Sequence, residues 1–271
     1  AIDTLKPYTQ TDKPTKKDLA GIKPKNNGEK DALKFLKTIF KRGFTYAMLD
    51  EMTEHIDKYL DKHLNLDLNA RLIINDDISD YDDDNYGNND VIGQRAEHGS
   101  FVAGVIAANR NNNIGIDGIA ENVEIMVLRT VPEGDEYDKD VALSIKYAVD
   151  NGANIINMSF GKSFSPQKQL VDKAIKYAES KGVLLIHAAG NDAENNDTIT
   201  HYPDYALNDG TTITNWITVG ASSFKKDKSL AGVFSNYGQR TVDVFAPGVS
   251  MISLYPGDKY DQGSGTSFAA P

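Results

Sequence analysis

The chain has 271 residues, 40% of them hydrophobic and 25% charged, with a net charge of −10 and no cysteine. This composition is typical of a globular protein, and no apolar run is long enough to cross a bilayer. The acidic balance without a basic cluster disfavours nucleic acid as a partner, and the lack of cysteine excludes disulfides, thiolate catalysis and cysteine-based zinc sites.

Charge divides the chain into two parts. Residues 1–70 carry 13 Lys/Arg and 11 Asp/Glu, whereas residues 71–271 carry 16 and 28, so their net charges are +2 and −12, which sum to −10. Such a shift indicates a domain boundary near Asn69. We therefore predict an N-terminal extension over residues 1–68 and a second domain over residues 69–271.

The extension contains one aperiodic stretch and two helical patterns. Residues 1–28 are rich in Pro, Lys and Asp and lack periodicity, which predicts an extended or loosely held arm. Beyond the arm, apolar residues recur at helical spacing in two successive segments, which predicts a helical hairpin. The first segment has Ala32, Leu33, Leu36, Ile39 and Phe40 on one face, and the second has Met48, Met52, Ile56, Tyr59 and Leu60.

From residue 71 onward, short apolar strands alternate with helical patterns. The predicted strands cover residues 71–75, 123–128, 155–158, 183–186, 216–219 and 242–245. The predicted helices cover residues 98–108, residues 138–151 and the segment between 165 and 182. This alternation predicts βαβ units and hence an α/β fold, in which helices cover both faces of a mainly parallel, doubly wound sheet in three αβα layers.

Polar residues with catalytic potential follow the predicted strands or begin helices. Asp76 ends the first strand, His98 begins a helix of small residues, and Ser267 begins a helix in the last seven residues. An imidazole can take the proton of a serine hydroxyl while a carboxylate orients the imidazole. Asn191, which follows the strand at 183–186, could donate an amide hydrogen bond to an oxyanion at the same edge of the sheet.

Three sequence blocks carry a resemblance to a known family: His98-Gly99-Ser100-Phe101-Val102-Ala103-Gly104, Ala188-Ala189-Gly190-Asn191 and Gly265-Thr266-Ser267-Phe268-Ala269-Ala270-Pro271. They resemble the signature blocks of the subtilisin-like serine proteases and occur in that family's chain order of aspartate, histidine, asparagine and serine. The resemblance covers residues 69–271. It implies Ser267 as nucleophile, His98 as general base and acid, Asp76 as the group that orients His98, and Asn191 in the oxyanion hole.

The acid block departs from the family pattern. The family usually has Asp-Thr-Gly or Asp-Ser-Gly at this position, whereas here the strand runs into Asn75-Asp76-Asp77-Ile78. Asp76 aligns best because four strand residues precede it directly, and Asp77 is the rival. Phe268 stands where the family commonly has Met, which leaves the reactive groups unchanged.

The resemblance implies a serine endopeptidase that hydrolyses peptide bonds through an acyl-enzyme on Ser267. The alternative is a non-catalytic binding or scaffolding domain that retains the subtilisin-like fold. Protein or peptide substrates would bind as an extended strand against Ser159, Phe160 and Gly161. Ala188, Ala189 and Gly190 would leave a roomy pocket for a large apolar side chain before the cleaved bond. We expect His187 and His201 to be structural.

We expect no required cofactor and no metal site. The acidic loop over residues 76–90 could offer carboxylates to calcium, but it lacks the spacing of a known calcium loop, so a solvated loop is the prediction. We also expect a monomer that is secreted or held at the cell envelope after loss of a signal peptide. Because the family continues with a buried helix beyond the serine block, we expect the sequence to be truncated at its C-terminal end.

Overall fold

The computed structural model describes residues 1–65, 67–93, 95–131 and 136–271, with the side chains of residues 55, 58, 62 and 63 left aside. The chain divides into two compact units, Ala1–Ala70 and Arg71–Pro271. Each unit has its own buried apolar cluster, as described below.

The first unit is helical. Its elements are α1 (Ile2–Thr9), α2 (Asn27–Lys41), α3 (Tyr46–Lys58) and a π-helical turn (Tyr59–His63). The two predicted helical segments are therefore confirmed. The prediction of an extended or loosely held arm before them is wrong, because Ile2–Thr9 form a helix and because Leu5 and Leu19 are fully buried against the apolar face of α2.

The apolar face of α3 is largely open within its unit. Met48, Met52 and Ile56 recur at a spacing of four residues, and each side chain is about half exposed. In α2, by contrast, Leu36 and Phe40 are buried. Helical periodicity therefore identified both helices but did not determine which of them buries its apolar face.

The second unit is built on a four-stranded parallel sheet. Its strands are β1 (Ile155–Met158), β2 (Leu184–Ala188), β3 (Trp216–Ser222) and β4 (Val244–Pro247), in that spatial order. The remaining elements are α4 (Glu97–Ala107), α5 (Asp138–Asp150), α6 (Lys168–Ser180), the antiparallel hairpin of β5 (Met251–Tyr255) and β6 (Lys259–Gly263), and α7 (Thr266–Ala269). Because the four strands run parallel, their carboxyl ends lie at one edge of the sheet.

Apolar clusters lie on both faces of the sheet. On one face, Ile175 of α6 and Ile145 of α5 pack with Leu185 of β2. On the other face, Ala269 of α7 packs with Val219 of β3. Helices therefore cover both faces, which confirms the predicted three-layer α/β class.

Two predicted strands are wrong. Residues 71–74 lie in a 3₁₀ helix (Ala70–Ile74) and residue 75 lies in a turn, while residues 123–128 form neither helix nor strand. The 3₁₀ turn lets the buried Arg71 side chain fold back on Asp76, while the Arg71 carbonyl accepts a hydrogen bond from the Asp76 amide at 3.0 Å. Leu72 and Ile73 remain 70% and 79% exposed. Apolar content predicted a strand here, but the ion pair determines the local backbone.

Candidate functional site

Ser267 lies at the carboxyl edge of the sheet, in the first turn of α7. Its hydroxyl donates to the Ser159 carbonyl at 3.0 Å, and the Ser159 hydroxyl donates to the Ser267 carbonyl at 2.8 Å. Ser159 directly follows β1. This reciprocal pair joins the terminal helix to the end of the first strand, so the candidate nucleophile has a defined position.

Asn191 is oriented by the residue that precedes Ser267. Its side-chain oxygen accepts hydrogen bonds from the Thr266 amide at 2.8 Å and from the Thr266 hydroxyl at 3.1 Å. The Thr266 hydroxyl also accepts from the Gly190 amide at 3.2 Å. Since two donors hold the oxygen of Asn191, its NH₂ group is directed away from them and can donate to another acceptor.

His98 lies in the first turn of α4, close to the terminal helix. Its ring centroid is 5.6 Å from that of Phe268, and Phe268 packs on Phe101 at 4.0 Å. Loss of surrounding water lowers the pKa of His98 below the usual 6.5, although part of the side chain remains exposed. Across the described ranges, no hydrogen bond joins His98 to Ser267 or to Asp76.

Asp76 is buried between two cations instead. Its carboxylate accepts from Arg71 Nε at 2.5 Å and from the Lys139 ammonium, and its side chain is fully buried. The Arg71 guanidinium also binds the Asp140 carboxylate at 2.6 and 2.8 Å. Burial opposes the charge on Arg71, but hydrogen bonds to Asp140 and Asp76 outweigh it and raise the pKa of the guanidinium. The structure therefore brings Ser267, Asn191 and Ser159 together, and Asp76 lies in a separate ion-pair network.

The rival acid, Asp77, is exposed and bonded locally. Its carboxylate accepts from the Ser79 amide at 2.9 Å and from the Ser79 hydroxyl at 2.6 Å. These hydrogen bonds lower the pKa of Asp77. Neither acid candidate forms a hydrogen bond or an ion pair with the imidazole in the described part of the chain.

The predicted peptide-binding segment already uses several of its backbone groups. The Gly161 amide donates to the Glu136 carboxylate at 3.2 Å, and the Phe160 carbonyl accepts from His187 Nε2 at 2.9 Å. Burial lowers the pKa of His187 to about 3, so this imidazole is neutral, which agrees with the structural role expected for it. A peptide strand on this segment would have to displace Glu136, a residue that the sequence patterns did not single out.

The segment predicted to line the substrate pocket, Ala188-Ala189-Gly190, begins at the last residue of β2 and is buried. Gly190 has a φ of +108°. Asn236 also lies close to it, since a Cβ at this position would come within 2.3 Å of Asn236 Nδ2. Glycine is therefore required here by both backbone conformation and space.

The acidic loop does not gather ligands for a cation. Its carboxylates accept backbone amides within the loop, as Asp80 does from Asp82 at 3.1 Å and Asp90 from Ile92 at 3.2 Å. Among the described residues, no group of three or more His, Asp or Glu side chains is placed to hold a metal ion. These loop carboxylates are therefore already engaged by backbone amides of the same segment.

The fold and this edge of the sheet define an α/β protein with a serine, an asparagine and a histidine near the carboxyl ends of parallel strands. Residues 41–271 match the subtilase family, Peptidase_S8. The chain belongs to the subtilase family.

Named relatives extend the comparison. A thermophilic serine proteinase of Bacillus sp. (strain AK1) is 39% identical over 175 residues, which is 64% of this chain and 40% of the relative. The major intracellular serine protease of Bacillus subtilis (strain 168) is 34% identical over 196 residues, 70% of this chain and 57% of the relative. The matched segment thus spans about half the length of these curated relatives.

Solved structures give the same fold. The structure titled "S41 Psychrophilic Protease" aligns with a TM-score of 0.58 at 31% identity, covering 70% of this chain and 64% of that one. In the described part of the chain, no helix combines the length and apolarity needed to span a bilayer.

Proposed function

We propose that this chain carries the active site of a serine endopeptidase. Ser267 is the nucleophile, His98 is the general base and later the general acid, and Asp76 orients His98 in the active arrangement. Asn191 and the Ser267 amide form the oxyanion hole. The observation that supports this proposal most directly is the anchoring of the Asn191 oxygen by Thr266, because it leaves the NH₂ group of Asn191 available beside Ser267.

The reaction follows from these groups. Ser267 Oγ attacks the scissile carbonyl carbon as its proton passes to His98, and the carbonyl oxygen becomes an oxyanion. Asn191 and the Ser267 amide, which has no helical acceptor in the first turn of α7, donate to that oxyanion. His98 then protonates the leaving amine as the C–N bond breaks, and water hydrolyses the acyl-enzyme by the same steps.

Asp76 must change partners for this role. Within the described residues its carboxylate is satisfied by Arg71 and Lys139, and these ion pairs would have to open or rearrange for it to reach His98. The same network supports the alternative function, a non-catalytic binding domain that keeps the family fold. A carboxylate that remained on the two cations would leave the imidazole without an orienting partner.

Labelling of Ser267 distinguishes the two functions. We expect a fluorophosphonate probe to modify Ser267 in the wild-type protein and to leave Ser267→Ala unmodified. We expect Ser267→Ala to lower kcat on a peptide amide by a factor on the order of 10⁶. Folded wild-type protein that neither reacts with the probe nor cleaves peptides would favour the binding domain.

Several finer features belong to the same proposal. Substrates are proteins or peptides bound as an extended strand against residues 159–161, and hydrolysis needs no cofactor. The enzyme acts as a monomer, outside the cell or at the cell envelope. One relative is named as an intracellular protease, so cell fractionation with an antibody to this chain tests the location.

A further inference from the structure

Four lysines form a stripe along one side of α2. Lys30, Lys34, Lys37 and Lys41 are spaced four, three and four residues apart, and all four side chains are exposed. At about 100° of rotation per residue, this spacing places them within an arc of about 60° on the helix. The sequence has no long run of basic residues here, so only the helix gathers these charges into one lysine stripe.

A groove runs beside the lysine stripe. All four lysines line this groove, which has a volume of about 370 Å³, together with the buried Leu33. An adjoining groove of about 250 Å³ shares Lys37 and Lys41 and is also lined by Lys16 and the buried Leu19. Five lysines therefore border a concave surface that is partly apolar.

These five lysines are not neutralised by carboxylates of the chain. Elsewhere in the first unit, Lys6 pairs with Asp12 at 2.5 Å and Lys13 pairs with Asp50 at 2.9 Å. Within the described residues, no hydrogen bond or ion pair reaches the ammonium group of any of the five lysines. Like charges three or four residues apart on a helix repel one another, so the stripe destabilises α2 without a compensating contact in its own unit.

The charge and shape of the grooves discriminate between classes of anionic partner. A lipid surface is disfavoured because the apolar face of α2, including Leu36 and Phe40, is buried in its own unit and cannot insert into a bilayer. Nucleic acid is disfavoured because the net charge of the chain is −10. A carboxylate-bearing peptide needs neither an inserted apolar face nor a basic protein.

An extended peptide also matches the dimensions of the stripe. Lys30 and Lys41 are eleven residues apart, which is about 16 Å along the axis of α2. An extended strand covers this distance in about five residues. Lysine carries its charge on a flexible stem, so each ammonium group can follow one carboxylate while the stem packs along the apolar part of the groove.

We propose that the two grooves beside the lysine stripe dock an acidic, extended segment of a partner protein, whose carboxylates pair with the five lysines. This docking is independent of the proposed peptidase reaction, because the residues proposed for that reaction all lie in the second unit. It assigns the first unit a binding role of its own.

A labelled acidic peptide tests the docking directly. Fluorescence anisotropy measures its Kd with the full chain carrying Ser267→Ala, so that hydrolysis does not remove the probe. The probe is a short peptide in which glutamate alternates with alanine. We expect it to bind about tenfold or more tightly than the same peptide with glutamine in place of glutamate, and we expect added salt to weaken the binding because the lysines are exposed.

A pair of double variants locates the binding surface. Lys34→Gln with Lys37→Gln removes two charges from the middle of the stripe and keeps side chains that favour a helix. We expect the Kd to rise about tenfold, because each exposed ion pair contributes a factor of a few. Lys225→Gln with Lys226→Gln removes the same charge from an exposed loop and is the matched control, which keeps the original Kd.

Circular dichroism checks the folding of each variant. Should the first double variant not fold, Lys30→Gln with Lys41→Gln, at the two ends of the stripe, takes its place with the same expected rise in Kd. Equal binding of the glutamate and glutamine peptides, or an equal rise in Kd in the stripe and control variants, overturns this inference.

Other occupants of the grooves would also overturn it. Tighter binding of a DNA duplex or of phosphatidylglycerol vesicles than of the acidic peptide would assign the stripe to those partners. A dimer that the stripe variant converts into monomers would assign the grooves to a second copy of the chain. These results leave hydrolysis at Ser267 unaffected, since labelling with the fluorophosphonate tests it separately.

Discussion

Asp76 shows how strongly the surroundings of one residue determine what it can do. Two cations, Arg71 and Lys139, surround a carboxylate that is removed from water, and Arg71 is shared with Asp140. Charges buried in this way are stable only as a complete set, because removal of one member leaves the others desolvated without compensation. In this arrangement Asp76 stabilises the fold, and the catalytic role proposed for it needs an additional rearrangement.

Replacement of Asp76 measures its structural role. We expect Asp76→Asn to lower the free energy of unfolding by about 3–5 kcal/mol, because Arg71 and Lys139 lose their buried counter-charge. Chemical denaturation followed by circular dichroism provides the measurement. Asp77→Asn is the matched control and should cost less than about 1 kcal/mol, since Asp77 is exposed. Equal losses in the two variants would contradict the ion-pair network as described.

His187 makes stability depend on pH. Its pKa is lowered from the usual 6.5 to about 3 by burial, so the folded state keeps the ring neutral where the unfolded chain would protonate it. The contribution of the neutral ring to the free energy of unfolding is complete above about pH 6.5 and is lost progressively as the pH falls toward 3. The expected slope for this one proton is about 1.4 kcal/mol per pH unit.

Urea denaturation between pH 7 and pH 4 measures that slope. His187→Gln, which keeps a donor toward the Phe160 carbonyl but does not titrate, should show a smaller loss of stability over the same range. An identical pH dependence in the wild-type protein and the variant would contradict a neutral, buried His187.

At the scale of single elements, hydrogen bonds to the first residues of a helix determine where that helix begins. The helix α2 starts after Asn26, whose oxygen accepts from the Glu29 amide at 2.9 Å, while its NH₂ group donates to the Glu29 carboxylate at 2.9 Å. The terminal helix α7 is instead held by Asn191 and Ser159, which are distant in sequence. The first helix end can be recognised from adjacent residues, and the second depends on the folded sheet.

The hydrogen bond at the start of α2 can be tested by replacing Asn26. We expect Asn26→Ala to destabilise the first unit by about 1 kcal/mol, because the Glu29 amide loses its acceptor at the helix end. Hydrogen exchange of the amides in the first turn of α2 measures the effect. Asn26→Ser keeps an acceptor for the Glu29 amide without placing a second carboxylate beside Glu29, so it should stay close to wild-type stability; a loss as large as that of the alanine variant would show that the hydrogen bond is not the cause.

At the scale of the whole molecule, the chain folds around separate apolar clusters. Leu36 is buried in the cluster of α1 and α2, and Ile175 is buried between α5, α6 and the sheet. Each cluster lies within one of the two compact units. The assignment of these units as an extension and a peptidase domain stays a prediction, and the family match begins at residue 41, within the first unit.

A pair of core truncations tests this organisation. We expect Leu36→Ala and Ile175→Ala each to cost about 2–5 kcal/mol, because both leave a cavity in a packed core. Hydrogen exchange should lose protection in α2 for the first variant and in β2 and α6 for the second. Loss of protection across both units in either variant would indicate a single cooperative core.

The sequence alone was sufficient to predict the features that depend on residues close together in the chain, namely most helices and strands and the family. Helical periodicity predicted α2 and α3, and the alternation of short apolar strands with helical patterns predicted α4, α5 and the strand β1. The order of the histidine, asparagine and serine blocks indicated the subtilase family, which the match over residues 41–271 confirms. The site residues themselves stay predictions.

Only the tertiary structure determined the ion pairs and contacts between residues that are distant in sequence. Apolar content predicted strands at residues 71–75 and 123–128, but the first begins in a 3₁₀ turn in which Arg71 pairs with Asp76 and with the distant Asp140. No local pattern indicated that Lys139 would bind Asp76 or that His201 would lie between Gly161 and Gly190. Burial and ion pairing arise from segments far apart in the chain, and only the folded molecule brings them into contact.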